Sequence, residues 1–278
     1  MLHRVVEWCS TPVTIGPVYQ PPWVRGKLFR HRQPPGTGWP ERHVQAPVSS
    51  RGGTGSVATV HPIERLRYVA RGGWGDPAML AAEAAWALAD LLEHEPPAAV
   101  PACRRLLERH PASGPMWWVS ARVLSARDPV AEAERCAEEL AEDTTEDVLD
   151  ASLPEDARVV RHGGVGEVAA ADLVVVDVEA LGPGGMVVDG DDVGLLDAAR
   201  ALEVPVWAVA GVGRVLPPRL WAALVRRVDG SRPPLSRPAA VVDLGGVERV
   251  VGPDGARPTA AALEAVDCPE PPELLGDS

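Results

Sequence analysis

Two runs in this chain are apolar along almost their whole length: residues 173–178 (LVVVDV) and 204–210 (VPVWAVA). A strand with one wet face alternates apolar and polar residues, whereas a strand covered on both faces does not. Both runs are therefore read as buried parallel strands. Two shorter valine-rich runs, 158–162 (RVVRH) and 240–244 (AVVDL), flank them in the chain. Helical stretches lie between, at 193–202 (VGLLDAARAL) and 217–228 (PPRLWAALVRRV). Strand and helix in alternation leave few topologies open, and the fold class predicted is α/β with a doubly wound parallel sheet.

The preceding segment has a different period. Residues 78–94 (AMLAAEAAWALADLLEH) form a strongly apolar helix between Asp76-Pro77 and Pro96-Pro97. An aspartate followed by proline is an N-cap with proline at the first helical position. Asp128-Pro129 repeats that signature ahead of 130–142 (VAEAERCAEELAE), and 101–110 and 115–126 are also helical. Residues 61–72 (HPIERLRYVARG) are read as a short helix. Residues 1–60 carry eight Pro and seven Gly without a period of 2 or 3.6, and are read as disordered or upstream of the true translation start. The expected organisation is an extension over 1–60, a helical domain over 61–145, an α/β domain over 150–262 and a flexible tail over 263–278.

Charge and composition exclude several functions. The net charge is −12, with +5 on residues 1–60 and hence −17 on the rest. A body that acidic repels phosphate backbones, so no nucleic-acid partner is expected. No run of about 18 uncharged apolar residues exists, so no membrane span is expected. The start lacks a secretory apolar region, and the expected compartment is the cytoplasm. The four cysteines are far apart with no C-x-x-C, so neither a metal site nor a disulfide framework is predicted, and no cofactor is. Cys103 and Cys136 sit in helical patterns and are read as small buried hydrophobes. The chain contains no Asn and a single Lys, Lys27, a scarcity that fits GC-rich coding. Any mechanism needing an active-site Asn is ruled out.

Ligands of open α/β sheets sit beyond the carboxyl ends of the strands. There the sequence places Asp177 and Glu179, two apart and so on one strand face. They suit a general acid/base pair with one raised pKa, or equally a turn cap and a backbone acceptor. Gly211-Val212-Gly213 follows a strand and precedes a helix, as an anion-cradling turn would, without completing G-x-G-x-x-G. Arg71-Gly72-Gly73 is a phosphate contact or a helix C-cap. His162 is an acid/base group or a plain loop residue.

Residues 171–185 (ADLVVVDVEALGPGG) resemble the "DLVLVGADAIGPDG" signature of one family. It contains the regulatory subunits of eukaryotic initiation factor 2B, the methylthioribose-1-phosphate isomerases and the ribose-1,5-bisphosphate isomerases. The likeness continues through 193–210 and 240–258, and residues 71–92 are similar to the family's "RGAPAIGIAAAYGLALAL". It covers much of 61–260.

The resemblance implies an N-terminal helical domain, a Rossmann-like domain, a homodimer through the latter, and a phosphorylated small molecule as ligand. It also brings departures. The signature aspartate falls on Glu179. The family's "N-K-x-G-T" falls on 188–192 (VDGDD), and no realignment restores it without Asn. The catalytic-cysteine loop is echoed only by 161–166 (RHGGVG), with Gly163 in place of cysteine and too few residues before the signature strand, which implies a shortened sheet. The expectation is a family scaffold that has lost isomerase chemistry and serves as a ligand-binding or regulatory oligomer. The alternatives are an aldose–ketose phosphate isomerase, with Glu179 as acid/base, His162 or Asp177 as helper and Arg71 as clamp, and a purely structural interaction protein.

Overall fold

A computed structural model describes residues 77–161, 165–230 and 239–276. The helix read over 61–72, Asp76, and residues 1–60 lie outside them. Helices come first: α1 Pro77–His94, α2 Ala99–Arg109, α3 Gly114–Ser125, α4 Pro129–Ala141 and α5 Thr145–Ser152. In α4 the buried residues Ala133, Cys136, Ala137 and Leu140 recur at spacings of three and four, which makes one stripe. That stripe packs along α1, whose buried face is mostly alanine. Small side chains on both surfaces let the two helices approach closely. Asp128 caps α4 as its sequence implied, its carboxylate accepting the Ala131 N–H at 3.2 Å. Helix α3 is buried nearly all round, from Gly114 to Val123, and forms the centre of this layer.

Cys103 and Cys136 are fully buried in it, as their helical patterns implied. Burial pushes both thiols up to about 12, and does the same for Cys268. A thiol held neutral is neither nucleophile nor metal ligand. The native protein is expected to leave Cys103 and Cys136 unalkylated by iodoacetamide at pH 8, while the urea-unfolded chain reacts at both. Peptide mass spectrometry reads both. The same shift fixes a sign for pH. The native thiols stay protonated while unfolded ones ionise near 9, so stability is intact below pH 9 and declines between 9 and 12. Cys103→Ala should make that decline shallower.

The second layer contains β1 Val159–Val160, α6 Val165–Val168, β2 Leu173–Asp177, β3 Ala180–Gly182, β4 Gly185–Asp189, α7 Val193–Ala201, β5 Val206–Val209 and α8 Pro218–Gly230. It ends with β6 Ala239–Val242, β7 Val247–Gly252, β8 Gly255–Pro258 and α9 Thr259–Glu264. The main sheet has the order β1-β2-β5-β7-β8, with β8 antiparallel and the other four strands parallel. Helices cover both of its faces. Val174, Val176 and Val178 pack on the side of α7, while Leu173 and Val175 pack with Leu149 of α5. This is the α/β fold expected, with strands added in one direction across the sheet. Asp172 helps to set β1 beside β2. Its carboxylate accepts the Arg158 guanidinium and, at 2.9 Å, the Arg158 N–H, and these bonds hold it below the usual carboxylate range.

One expected strand changes place. The valine-rich pattern places 240–244 in the parallel sheet, but β6 pairs antiparallel with β4 in a separate three-stranded sheet of order β3-β4-β6. Its place in the main sheet belongs to β7, where Glu248 and Arg249 interrupt the apolar pattern. The small sheet shares the helical core, in which Ala180, Val187, Leu216, Leu220, Trp221 and Leu224 pack with α1 and α3. One hydrophobic core thus crosses the change from helices to strands. Residues beyond 263, read as a flexible tail, include Leu274, which is fully buried in that same core. A lone leucine in a proline-rich stretch has no periodicity to announce its burial.

Candidate functional site

The carboxyl ends of β2 and β5 lie side by side, with Asp177 paired to Val209. The chain leaving β2 runs through Val178 and Glu179 into the β3–β4 hairpin. The chain leaving β5 turns at Gly211–Val215. Backbone bonds lace the two exits: Val178 N–H to Val209 O at 3.1 Å, Leu181 N–H to Arg214 O at 2.7 Å, and Leu216 N–H to Leu181 O at 2.8 Å.

Glu179 follows the strand rather than ending it. Its N–H donates to Val187 O at 2.8 Å and its carbonyl accepts the Gly114 N–H at 2.9 Å. The start of α3 is therefore seated on Glu179. A Cβ on Gly114 would lie 2.7 Å from that carbonyl, so only glycine allows the approach. The Glu179 side chain is half-buried. Asp177, its proposed partner, is held by Arg161 through two bonds, Nε to Oδ2 at 2.9 Å and Nη2 to Oδ1 at 2.6 Å. Arg161 also grips Glu146 of α5 at 2.6 and 2.8 Å. Such a forked pair is strongly directional. It fixes the Asp177 carboxylate against a cation.

The Gly211–Gly213 turn was expected to cradle an anion, and an anionic group is there. It is the carboxylate of Asp143, from the link between α4 and α5. Oδ2 accepts the Val212 N–H at 2.9 Å, and Oδ1 accepts the Thr145 N–H at 2.9 Å and the Thr145 hydroxyl at 2.6 Å. A Cβ on Gly211 would collide with Oδ2, so the glycine makes room for this carboxylate. Gly213 has φ +73° and lies under the Trp118 ring, which a Cβ would meet at 3.0 Å. The Arg122 guanidinium lies over that ring, 4.5 Å from its centroid. Arg214 sends Nη1 to the Val178 carbonyl at 2.5 Å. Both glycines are thus explained by side chains of the helical layer.

The stretch 188–192, where the resemblance places a substrate-binding motif, is the end of β4 and a 3-10 turn. Asp189 Oδ1 there accepts the Asp191 N–H at 3.1 Å. Arg71, Gly72, Gly73 and His162 lie outside the described residues. The structure brings together Asp177, Glu179, Gly211 and Gly213, and adds Asp143, Thr145, Arg161 and Arg214. Sequence reasoning missed Asp143. An Asp-x-Thr step before a helix marks a capping residue, but nothing local marks the turn at Val212 as its second target. Among the described residues no cluster of His, Cys, Asp and Glu is placed to hold a metal ion, and no helix is long and apolar enough to cross a membrane.

No family model and no curated protein matches the sequence. Solved structures do match in fold. A chain of the tetrameric eIF2B-beta2-delta2 complex from C. thermophilum has a TM-score of 0.60 at 12% identity, over 73% of this chain and 92% of that one. The eIF2B beta structure from Chaetomium thermophilum has a TM-score of 0.56 at 12% identity, over 77% and 91%. The translation initiation factor eIF-2B of Pyrococcus horikoshii OT3 has 0.56 at 10% identity, over 73% and 98%. The helical layer followed by the mixed sheet is therefore the fold of the eIF2B subunits.

Proposed function

We propose that this chain is an eIF2B-type scaffold that has lost isomerase chemistry and works as a regulatory, oligomeric protein. The observation that carries the reading is the Asp143 carboxylate on the turn after β5. A phosphate ester bound at the end of such a sheet needs backbone N–H groups, hydroxyls or cations. Here the Val212 N–H and both Thr145 donors serve a carboxylate of the chain itself. A phosphate approaching that turn meets a negative charge in place of free donors. Arg161, a cation at the same edge, already holds two carboxylates. Asp189, Asp191 and Asp192 add negative charge in the stretch where the resemblance expects a substrate-binding motif.

Assembly is the use that remains for the scaffold. One of the solved structures of this fold is a tetrameric complex, and a homodimer through the α/β part is the arrangement we propose. Size-exclusion chromatography with light scattering should find a dimer or larger assembly. In thermal-shift screening, sugar phosphates and nucleoside monophosphates should leave the melting temperature unchanged. A native-state ligand at a hundred times its Kd stabilises by about 2.7 kcal/mol. A clear rise with any of these esters would replace this reading with a ligand-binding one.

A further inference from the structure

Residues 265–276 are short of secondary structure, with a single 3-10 turn at Pro272–Leu274, and contain Pro269, Pro271 and Pro272. They nevertheless run in contact with both α2 and α8. Glu270 Oε1 accepts the Arg219 N–H at 2.7 Å, at the start of α8. That helix opens after Pro217 and has no capping hydroxyl or carboxylate of its own at that point, so an orphan N–H and the positive end of the helix are served from the tail. Two turns along α8, Arg226 Nη2 reaches the Leu275 carbonyl at 3.2 Å. From the opposite side, Arg104 Nε of α2 reaches the Glu273 carbonyl at 3.0 Å. Between these points Leu274 is fully buried with Leu106, Leu107, Leu220 and Leu224 in its core.

These contacts have the chemistry of peptide recognition. Two arginines read main-chain carbonyls, Leu274 fills an apolar site with Leu275 and Cys268 packed beside it, and one carboxylate caps a helix. None of them requires the bound segment to be covalently continuous with the groove. The prolines stiffen the segment and lower the entropy lost on docking. The seat is also imperfect, since Glu273 Oε2 is buried without a hydrogen-bond partner. An unsatisfied buried acceptor favours release.

We infer that α2 and α8 form a peptide-docking groove, and that the chain's own residues 268–276 occupy it as a detachable strap. The partner chemistry it fits is an acidic, proline-stiffened segment that ends in a 3-10 turn carrying a leucine pair, the first leucine fully buried and the second packed beside it. The strap makes access to the groove conditional on its release.

The test uses the full chain carrying Leu274→Asp and a fluorescent peptide with the wild-type sequence of residues 266–276. A tethered segment acts at an effective concentration on the order of millimolar. The strapped wild type should therefore bind the peptide at least about tenfold more weakly than the variant. A peptide bearing the same Leu→Asp change should bind neither protein. Binding to neither protein by the wild-type peptide, or equal binding to both, overturns the inference. Native-state hydrogen exchange of the wild type covers the case in which the variant does not fold. The Leu274 and Leu275 amides should exchange at least about a hundredfold faster than those of α3. Equal protection would make the strap a fixed part of the core and overturn its release.

Discussion

Asp143→Ala is expected to lower stability by about 2–3 kcal/mol, and the melting temperature by roughly 5–10 °C. The substitution strands three donors: the Val212 N–H, the Thr145 N–H and the Thr145 hydroxyl. Thr145 is buried, so water does not freely replace the carboxylate there. Bonds to a charged acceptor are worth about 1.5–3 kcal/mol each when lost, and partial access at the half-buried Val212 reduces the sum. Asp143→Asn should fall between wild type and alanine, because its amide oxygen can still accept one of the donors. Urea unfolding followed by circular dichroism reads all three. A loss under 0.5 kcal/mol for alanine would mean that the carboxylate only rests on the turn, and the proposed reason for a lost phosphate site would go with it.

Trp117→Ala should cost more, about 3–5 kcal/mol, the range for emptying a buried aromatic site. Trp117 is fully buried, its indole N–H donates to Pro111 O at 2.9 Å, and the Arg227 guanidinium of α8 lies 4.9 Å from its ring centroid. The ring therefore joins α3 to α8, and through α8 to the β3–β4 hairpin. Trp117→Phe keeps the apolar body and a ring face for the cation, so it should recover most of the loss. The difference that remains, about 1–2 kcal/mol, is the lost hydrogen bond to the Pro111 carbonyl and the small cavity left by the missing ring. If phenylalanine is as damaging as alanine in the same unfolding experiment, the indole N–H outweighs the packing and this view of the junction fails.

Helices α1 to α4, α7 and α8 were legible because their signals are local, whereas the short α5, α6 and α9 were not read. Asp128-Pro129 marks α4, and the apolar spacing of α1, α7 and α8 sets their buried faces. Strands β2 and β5 were legible because unbroken valine runs have few other uses. The main-sheet strand β7 was not, since Glu248 and Arg249 hide it. The sheet to which β6 belongs was not either, because pairing partners are decided far along the chain. The site shows the same division. The sequence marked Gly211 and Gly213 as unusual backbone positions but not what fills the space beside them. Their neighbours, Asp143 and Trp118, come from the helical layer, and the Asp143 bond to Val212 spans 69 residues. The composition, by contrast, was decisive without any structure. A chain with no Asn cannot carry the "N-K-x-G-T" segment in any alignment.

This scaffold is expected to perform no sugar-phosphate isomerisation. The direct measurement is a coupled assay on the full chain with ribose-1,5-bisphosphate and with methylthioribose-1-phosphate, run beside Glu179→Gln. Neither protein is expected to show turnover above the uncatalysed rate. Turnover by the wild type that Glu179→Gln abolishes, with the melting temperature unchanged, would contradict this expectation and assign Glu179 the acid/base role.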